Sequence, residues 1–322
     1  MSRNISTRKN STVGRKRLVW RRAMGWFLFT ACFSGSALRA QNQTYTNGEN
    51  NIGVVSATGG IFLKTPTGTS AIQSGPVINS GDVGINPTSA FTGTLTFTGT
   101  STFTGTTTFD FGTMNVSGTG AVWGAGTTDL FVAKNDGDVA VLNVTNGGRL
   151  RSQTAYLSYA TTTSGSATVT VTGTNSTWTN SGILYMGVGG DAALTISNGG
   201  KVSDTYGYIA QNFGSTSVAL VTGVGSSWIN SNDVDVGSNG SGSLTVSSGG
   251  TVTAVHAVIG ASNSAVGNAT VTGVGSNLTS SSNLYVGYDG TGTLTISSGG
   301  KVTNPEGDIG YNNGSSGSVT VT

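Results

Sequence analysis

Apolar residues occupy every second position in short segments of this chain, and each segment ends at a pair of glycines. The clearest examples are "GDAALTISNGG" at 190–200, "GSGSLTVSSGG" at 240–250 and "GTGTLTISSGG" at 290–300, and "DVAVLNVTNGG" at 138–148 is a looser copy. A period of two predicts β-strands that bury one face, with Leu, Ile and Val inward and Ser and Thr outward. The same spacing and the abundance of glycine exclude a helical fold.

The segments repeat every 50 residues, and some apolar positions repeat at half that distance, as Val246 and Val271 do. A half-repeat indicates two coils of a solenoid, whereas a four-stranded propeller blade, the main alternative at this period, has no reason to repeat at its midpoint. We therefore predict an all-β fold, a right-handed parallel β-helix with about 25 residues per coil and 50 per two-coil repeat. The predicted inward columns are Leu194, Leu244 and Leu294; Ile196, Val246 and Ile296; Val171, Val221 and Val271; Ile209, Ile259 and Ile309; and Trp178 and Trp228.

The glycine pairs mark the predicted corners of the coil. Glycine adopts left-handed backbone conformations without a steric penalty, and tight corners need such conformations. The predicted corner glycines are Gly199, Gly200, Gly249, Gly250, Gly299 and Gly300.

The start of the chain has the pattern of an export signal. Residues 1–40 hold nine basic residues, the apolar run "AMGWFLFTACF" and the small residues of "SGSALRA". A basic segment, a short apolar run and small residues before a polar start are typical of a signal that is removed on export. A membrane anchor is the alternative, but the apolar run is shorter than the ~20 residues that a membrane span requires.

Three further segments follow. We expect residues 41–90 to be a polar, partly irregular leader and residues 91–137 to form Phe/Thr/Gly-rich first coils or an N-terminal cap. The β-helix repeats fill 138–322, and because the sequence stops inside a repeat, we expect it to be truncated relative to the full-length protein. Four phenylalanines spaced by six residues are expected to share one face of an extended segment: Phe91, Phe97, Phe103 and Phe109.

Composition and charge narrow the classes of function. Only 9% of the residues are charged and 52 are glycine, which does not match a disordered, highly charged chain. Beyond residue 40, 6 basic residues stand against 13 acidic ones, a net charge of −7, so the sequence predicts no basic patch for nucleic acid. Cys32 is the only cysteine and lies in the export segment, so we expect no disulfide and no thiolate site in the rest of the chain.

Candidate catalytic residues are few and scattered. Asp233 and Asp235 stand together, but the matching positions of the other copies carry no acid pair, so we interpret both as solvated surface residues. His256, the only histidine, has no clustered partner in the sequence. Lys201 and Lys301 follow glycine pairs and are expected to solvate corners. We therefore predict no catalytic residue, no metal site and no cofactor.

An outward row of tyrosines is the best candidate for a contact surface. Tyr185, Tyr208 and Tyr285 fall at outward strand positions, and exposed tyrosines favour recognition surfaces. Glycine-aspartate stretches lack the nine-residue recurrence of calcium-binding repeats. The threonine rows suit outward strand positions in general, so they do not single out an ice-binding face.

The pattern "GTLTISSGGKVT…IG…GSVTVTG.GS.WTNSG.LYVG..G.G" over about 138–322 resembles the repeat of autotransporter (type V secretion) passenger domains and of PEP-CTERM-associated β-helix proteins. The resemblance implies an exported β-helix at the cell surface, outer membrane or outside the cell. It also implies an adhesin-like role toward a host-cell, matrix or glycan surface, and contact with an export machinery. We expect a non-enzymatic stalk or adhesin that binds no nucleic acid and does not span the membrane in this segment. The alternative is a carbohydrate-active β-helix enzyme (polysaccharide lyase or hydrolase type) with its active coils outside this sequence.

Overall fold

The computed structural model describes residues 41–51, 54–57, 59–160, 162 and 164–322, all within one structural unit, residues 36–322. The expected export segment, residues 1–40, lies outside the described residues. The strands are β1 Gln41–Thr44, β2 Asn50–Asn51, β3 Val55–Ala57, β4 Ile61–Lys64, β5 Ser70–Gln73, β6 Val77–Asn79, β7 Val83–Ile85, β8 Thr94–Phe97, β9 Thr102–Phe103, β10 Thr107–Phe109, β11 Phe111–Ser117, β12 Val122–Trp123, β13 Leu130–Val132, β14 Val139–Thr145, β15 Arg149–Ser152, β16 Ala155–Leu157, β17 Ser166–Thr172, β18 Thr177–Asn180, β19 Ile183–Met186, β20 Asp191–Ser197, β21 Lys201–Asp204, β22 Tyr206–Ile209, β23 Thr216–Thr222, β24 Ser227–Asn230, β25 Val234–Val236, β26 Ser241–Ser247, β27 Thr251–Ala254, β28 Ala257–Ile259, β29 Val266–Thr272, β30 Asn277–Ser280, β31 Asn283–Val286, β32 Thr291–Ser297, β33 Lys301–Thr303, β34 Glu306–Ile309 and β35 Ser316–Val321.

Within each sheet, a strand pairs in parallel with the strand three positions earlier in the chain, so the chain winds as a solenoid with three faces. Face 1 is the 12-stranded sheet from β1 to β34, and face 2 is the 12-stranded sheet from β2 to β35. Face 3 holds the three strands β3, β6 and β9, followed by the eight from β12 to β33. About 11 turns of about 25 residues result, which confirms the predicted parallel β-helix and excludes a propeller.

The 50-residue period arises because two kinds of coil alternate. After face 2, one coil turns through residues 198–200 and the next through residues 223–226. Between faces 3 and 1, the same two coils turn through residue 205 alone and through residues 231–233. The face 2 strands nevertheless stay in strict 25-residue register, as Leu194, Ala219 and Leu244 do. The half-repeat in the sequence is therefore a single coil.

The interior consists of apolar columns, and the predicted inward residues lie in them. Leu194, Ile196, Leu244, Val246, Leu294, Val171, Val221, Val271, Ile209, Ile259, Trp178 and Trp228 are all at most 1% exposed. Ile296 is only partly buried, and Ile309 is 59% exposed because no following coil covers β34. Each fully buried side chain of this kind contributes about 1.5–3 kcal/mol.

The two glycines of each corner pair have different roles, which corrects the prediction that both are left-handed. Asn198 and Gly199 have φ values of 52° and 85°, and the amide of Gly200 donates to the carbonyl of Ser197, so the turn uses the residue before the pair and the first glycine. Gly200 is not left-handed. Its missing Cβ leaves room for the backbone of Val171 in the preceding coil. Gly249, Gly250, Gly299 and Gly300 repeat this arrangement.

One interior column is polar. On face 3, Ser152, Asn180, Asp204 and Asn230 occupy matching inward positions of successive coils and are nearly fully buried. The Ser152 hydroxyl donates to Asn180 Oδ1 over 2.8 Å. Tryptophans of the neighbouring inward column use the same groups: Trp178 Nε1 donates to Ser152 Oγ over 3.0 Å.

The solenoid extends further toward the N-terminus than the sequence predicts. Residues 41–90, expected to be a partly irregular leader, hold seven strands of the same sheets. The expectation that the four phenylalanines share one face of an extended segment is wrong. Phe97, Phe103 and Phe109 lie in strands of faces 2, 3 and 1 and all point inward, because six residues span a corner here. Phe97 and Phe103 contact the buried ring of Trp123, with centroids 4.2 and 5.0 Å away.

Candidate functional site

Four aromatic side chains lie in register on the outer side of face 1, and we call them the aromatic column: Phe131, Tyr156, Tyr185 and Tyr208. Each pairs with the next across adjacent strands. The ring centroids are 4.7, 5.2 and 5.5 Å apart, and the first two pairs are stacked. Parallel strands lie about 4.8 Å apart, so the coil spacing itself sets this ladder. Aromatic pairs at such distances contribute about 0.5–1.5 kcal/mol each.

A side branch widens the N-terminal end of the aromatic column. Tyr159 contacts Phe131 and Tyr156 edge-on, at 5.3 and 5.2 Å. Lys134 Nζ lies 4.6 Å from the centroid of Phe131, which is within the range of a cation–π contact. An open groove of about 410 Å³ lies here, lined by Lys134, Asn135, Asp136 and Tyr159.

A second groove of about 220 Å³ lies beside the middle of the aromatic column. Its lining is Tyr156, Tyr185, Val188, Gln211 and Asn212. The two ring edges provide apolar surface and hydroxyl groups, while the side-chain amides of the corner residues add neutral donors and acceptors. This combination suits an uncharged polar ligand.

The aromatic column ends at three titratable residues, Asp233, Asp235 and His256, which we call the acid–histidine cluster. Asp235 is the register partner of Tyr208. His256 Nδ1 and Asp233 Oδ1 lie 2.7 Å apart, with side chains 37% and 31% exposed. The prediction that His256 has no clustered partner is therefore wrong, because a corner brings together two residues that lie 23 positions apart.

Burial and the neighbouring Asp233 raise the pKa of Asp235 to about 7, and His256 opposes this shift. Asp235 is half-buried, so the interpretation of this aspartate as an ordinary solvated residue is wrong. Burial, and then Asp235, also raise the pKa of Tyr208 to about 12. Near neutral pH Asp235 can thus hold or release a proton next to the end of the aromatic column.

Tyr285, the third residue of the predicted contact stripe, is separated from the aromatic column. Asp235 and Val258 occupy the two intervening register positions. Tyr285 instead forms a trio with Tyr288 and Tyr311, with centroids 5.0 to 5.1 Å apart. Tyr185 and Tyr208 do lie together, and the structure adds Phe131 and Tyr156 to them.

Among the described residues, no group of three or more His, Cys, Asp or Glu side chains could hold a metal ion. No helix in that part of the chain is long and apolar enough to cross a membrane.

No model of a known protein family matches the sequence, and no curated protein matches it. Among solved structures, the chain is similar to the TibC-catalyzed hyper-glycosylated TibA55-350 fragment. The two are 18% identical, the match covers 88% of this chain and 95% of that chain, and the TM-score is 0.31. Likeness at this level assigns neither a family nor an activity to this chain. The parallel sheets of the structure themselves define its class as a parallel β-helix.

Proposed function

We propose that this protein is an exported β-solenoid, displayed at the cell surface as a stalk or adhesin-like passenger domain without catalytic activity. The aromatic column is its contact surface, and this column is the single observation that carries the proposal. A half-buried row of in-register aromatic rings on the outer side of face 1 is more than the core requires, since the inward columns already supply it. Half-buried tyrosines present both apolar area and hydroxyl groups, which favours recognition.

The way in which the coils contact each other supports export. Each coil pairs only with its neighbours, so folding can propagate from one end. No cysteine occurs after Cys32, so the described coils need no oxidative step. A chain of this kind can cross a pore unfolded and then fold outside. Its partners would be the export machinery and a host-cell, matrix or glycan surface.

Two measurements on the full chain test the proposal. Protease treatment of intact producing cells should release peptides from 138–322 while an intracellular marker stays uncleaved. Beads that carry the full chain should attach to matrix-coated surfaces or to a glycan array, and the double variant Tyr156→Ser, Tyr185→Ser should attach poorly. Tyr311→Ser, which changes an exposed tyrosine in the last coil, is the matched control. Uncleaved peptides, or equal attachment of the double variant and the control, would contradict the proposal.

The acid–histidine cluster favours a second candidate function, cleavage of a polysaccharide. A carboxyl group with a pKa of about 7 beside a paired histidine can act as a general acid or base. If this candidate is correct, the full chain should release reducing or unsaturated ends from a polysaccharide, and Asp235→Asn should abolish that release. An unchanged rate in Asp235→Asn would exclude a role for the cluster.

A further inference from the structure

The outer side of face 3 carries three cationic side chains close together, and we call them the basic groove: Arg149, Arg151 and Lys201. Arg149 and Lys201 are both register partners of Thr177, one coil to either side. Two coil spacings put their Cα atoms about 9.6 Å apart, and Arg151 lies about 6.6 Å along the strand from Arg149. All three side chains are exposed.

No opposite charge balances these cations within the described strands of face 3. The one acidic residue of those strands is Asp204, and its side chain is buried in the interior. None of the three cations forms an ion pair with a described carboxylate. Three cations therefore lie together on this face although the net charge beyond residue 40 is negative, and the expectation of no basic patch for nucleic acid stays a prediction. Half of the six basic residues beyond residue 40 meet here, while Asp233, Asp235 and Glu306 lie on or next to face 1.

The surface between the cations is an open groove of about 330 Å³. Neutral polar side chains complete its lining: Asn175, Thr177 and Thr179. Arginine donates paired hydrogen bonds to planar or tetrahedral oxyanions, and lysine adds a point charge. Hydroxyl and amide groups between the cations can bind the hydroxyl groups of a sugar.

We propose that the basic groove binds an anionic polysaccharide whose sugars carry sulfate groups. The three cations extend over about two coils, which complements a polysaccharide chain with regularly spaced anions. The groove contacts its ligand with flexible side chains on a rigid sheet, so each cation acts nearly independently.

Two other anionic partners fit the groove less well. Proteins that bind single-stranded nucleic acid combine cations with aromatic rings on which bases stack, but the tryptophans of this face, such as Trp178, point inward and are buried. Binding to an anionic membrane uses more cations and apolar residues that insert between lipids. The outward neighbours of Lys201 are Ser203 in the same strand and Ser227 in the next one, and Ile229, the register partner of Ser203, is the one apolar outward residue of these two strands.

This inference is independent of the proposed adhesin role. The basic groove lies on face 3 and the aromatic column on face 1, so the variants that test one site leave the other site intact.

Binding of the full chain to dextran sulfate and to unmodified dextran tests the inference. We expect binding to dextran sulfate that weakens as salt is raised, and none to dextran. The triple variant Arg149→Thr, Arg151→Thr, Lys201→Thr should lose affinity about a hundredfold, since each cation contributes about fivefold near an anionic surface. Threonine occupies matching outward positions in neighbouring coils, such as Thr177, so the variant should keep its far-ultraviolet circular dichroism and its melting temperature.

Lys301→Thr is the matched control. Lys301 lies in the same outward column, two repeats beyond Lys201, and has no cationic neighbour in that strand. Its loss should leave affinity unchanged. The inference is overturned if the triple variant binds like the wild type, or if the control loses as much affinity. It is also overturned if single-stranded DNA or anionic vesicles bind more tightly than dextran sulfate at equal charge.

Discussion

Asp204 is an aspartate held inside the solenoid, and its replacement by asparagine should stabilise the protein at neutral pH. The side chain is 5% exposed. Trp228 Nε1 donates to its Oδ2 over 2.7 Å, which satisfies one oxygen. Its Oδ1 has no partner, and neither has Oδ1 of Asn230, the register partner in the next coil. An asparagine can keep the tryptophan bond through its Oδ1 and carries no charge.

The magnitude follows from the pKa. Burial raises the pKa of Asp204 from 3.8 to about 7, and the Trp228 hydrogen bond opposes this shift. Below pH 4 the carboxyl group is protonated in both the folded and the unfolded chain, so its ionisation does not lower the free energy of unfolding. Between pH 4 and 7 the unfolded chain releases the proton while the folded chain keeps it, so stability falls as pH rises. Above pH 7 the loss levels off at about 4 kcal/mol, from 1.36 kcal/mol per pKa unit.

Thermal unfolding followed by circular dichroism at pH 4 and pH 8 measures this effect. Asp204→Asn should melt like the wild type at pH 4 and on the order of 10 °C higher at pH 8. The control is Asp191→Asn, which makes the same change at an exposed aspartate whose Oδ1 accepts from the Thr216 amide, and its melting temperature at pH 8 should not rise by a comparable amount. Equal differences at both pH values, or a lower melting temperature for Asp204→Asn at pH 8, would refute the reasoning.

Four further substitutions have defined outcomes in urea unfolding. Val246→Asp should lower stability by several kcal/mol because it buries a charge at a fully buried position, whereas Thr245→Asp on the outer side of the same strand should change it by about 0.5 kcal/mol or less; equal shifts would contradict the assignment of inner and outer sides. Gly250→Ala should cost about 1–3 kcal/mol, because its Cβ would lie against the carbonyl oxygen of Val221; an unchanged midpoint would show that the corner can widen freely. Asp235→Asn should stabilise at pH 8 and not at pH 4, because the pKa of Asp235 is raised to about 7; the gain should be smaller than at the buried aspartate because the site is half-exposed.

The coil was predictable because burial acts on every repeat alike. Leu194, Leu244 and Leu294 each fill the same position in the interior, so the sequence repeats them at the 50-residue period. The N-terminal coils were not predictable in the same way. Their turns vary in length, and Phe97 and Phe103 fill the interior from two different faces. Without a fixed period, the inward positions cannot be aligned by eye.

The candidate site was only partly predictable, for a related reason. Tyr185 and Tyr208 lie in the regular repeats, so their outward direction follows from the strand pattern. Phe131 and Tyr156 lie in coils whose period drifts, and their register with Tyr185 depends on a longer corner between β16 and β17. His256 and Asp233 meet only because the coil closes. Such contacts depend on turn geometry, which local patterns do not specify.

The internal repeats place different residues at the same structural position, so the repeats can be compared with each other. Where the inward column holds Trp228, the preceding coil supplies Asp204 as a hydrogen-bond acceptor and Gly207 as space, with its missing Cβ 2.6 Å from the indole ring. Where Leu278 replaces the tryptophan one repeat later, the matching positions are Ala254 and Ala257, because leucine needs neither an acceptor nor the extra room. Inward changes are thus compensated within one coil. Outward changes, such as tyrosine to aspartate along face 1, have no compensation in the core. Outward positions that differ between repeats, without a matching change at an inward residue, are therefore the ones available for binding. Both the aromatic column and the basic groove consist of such positions.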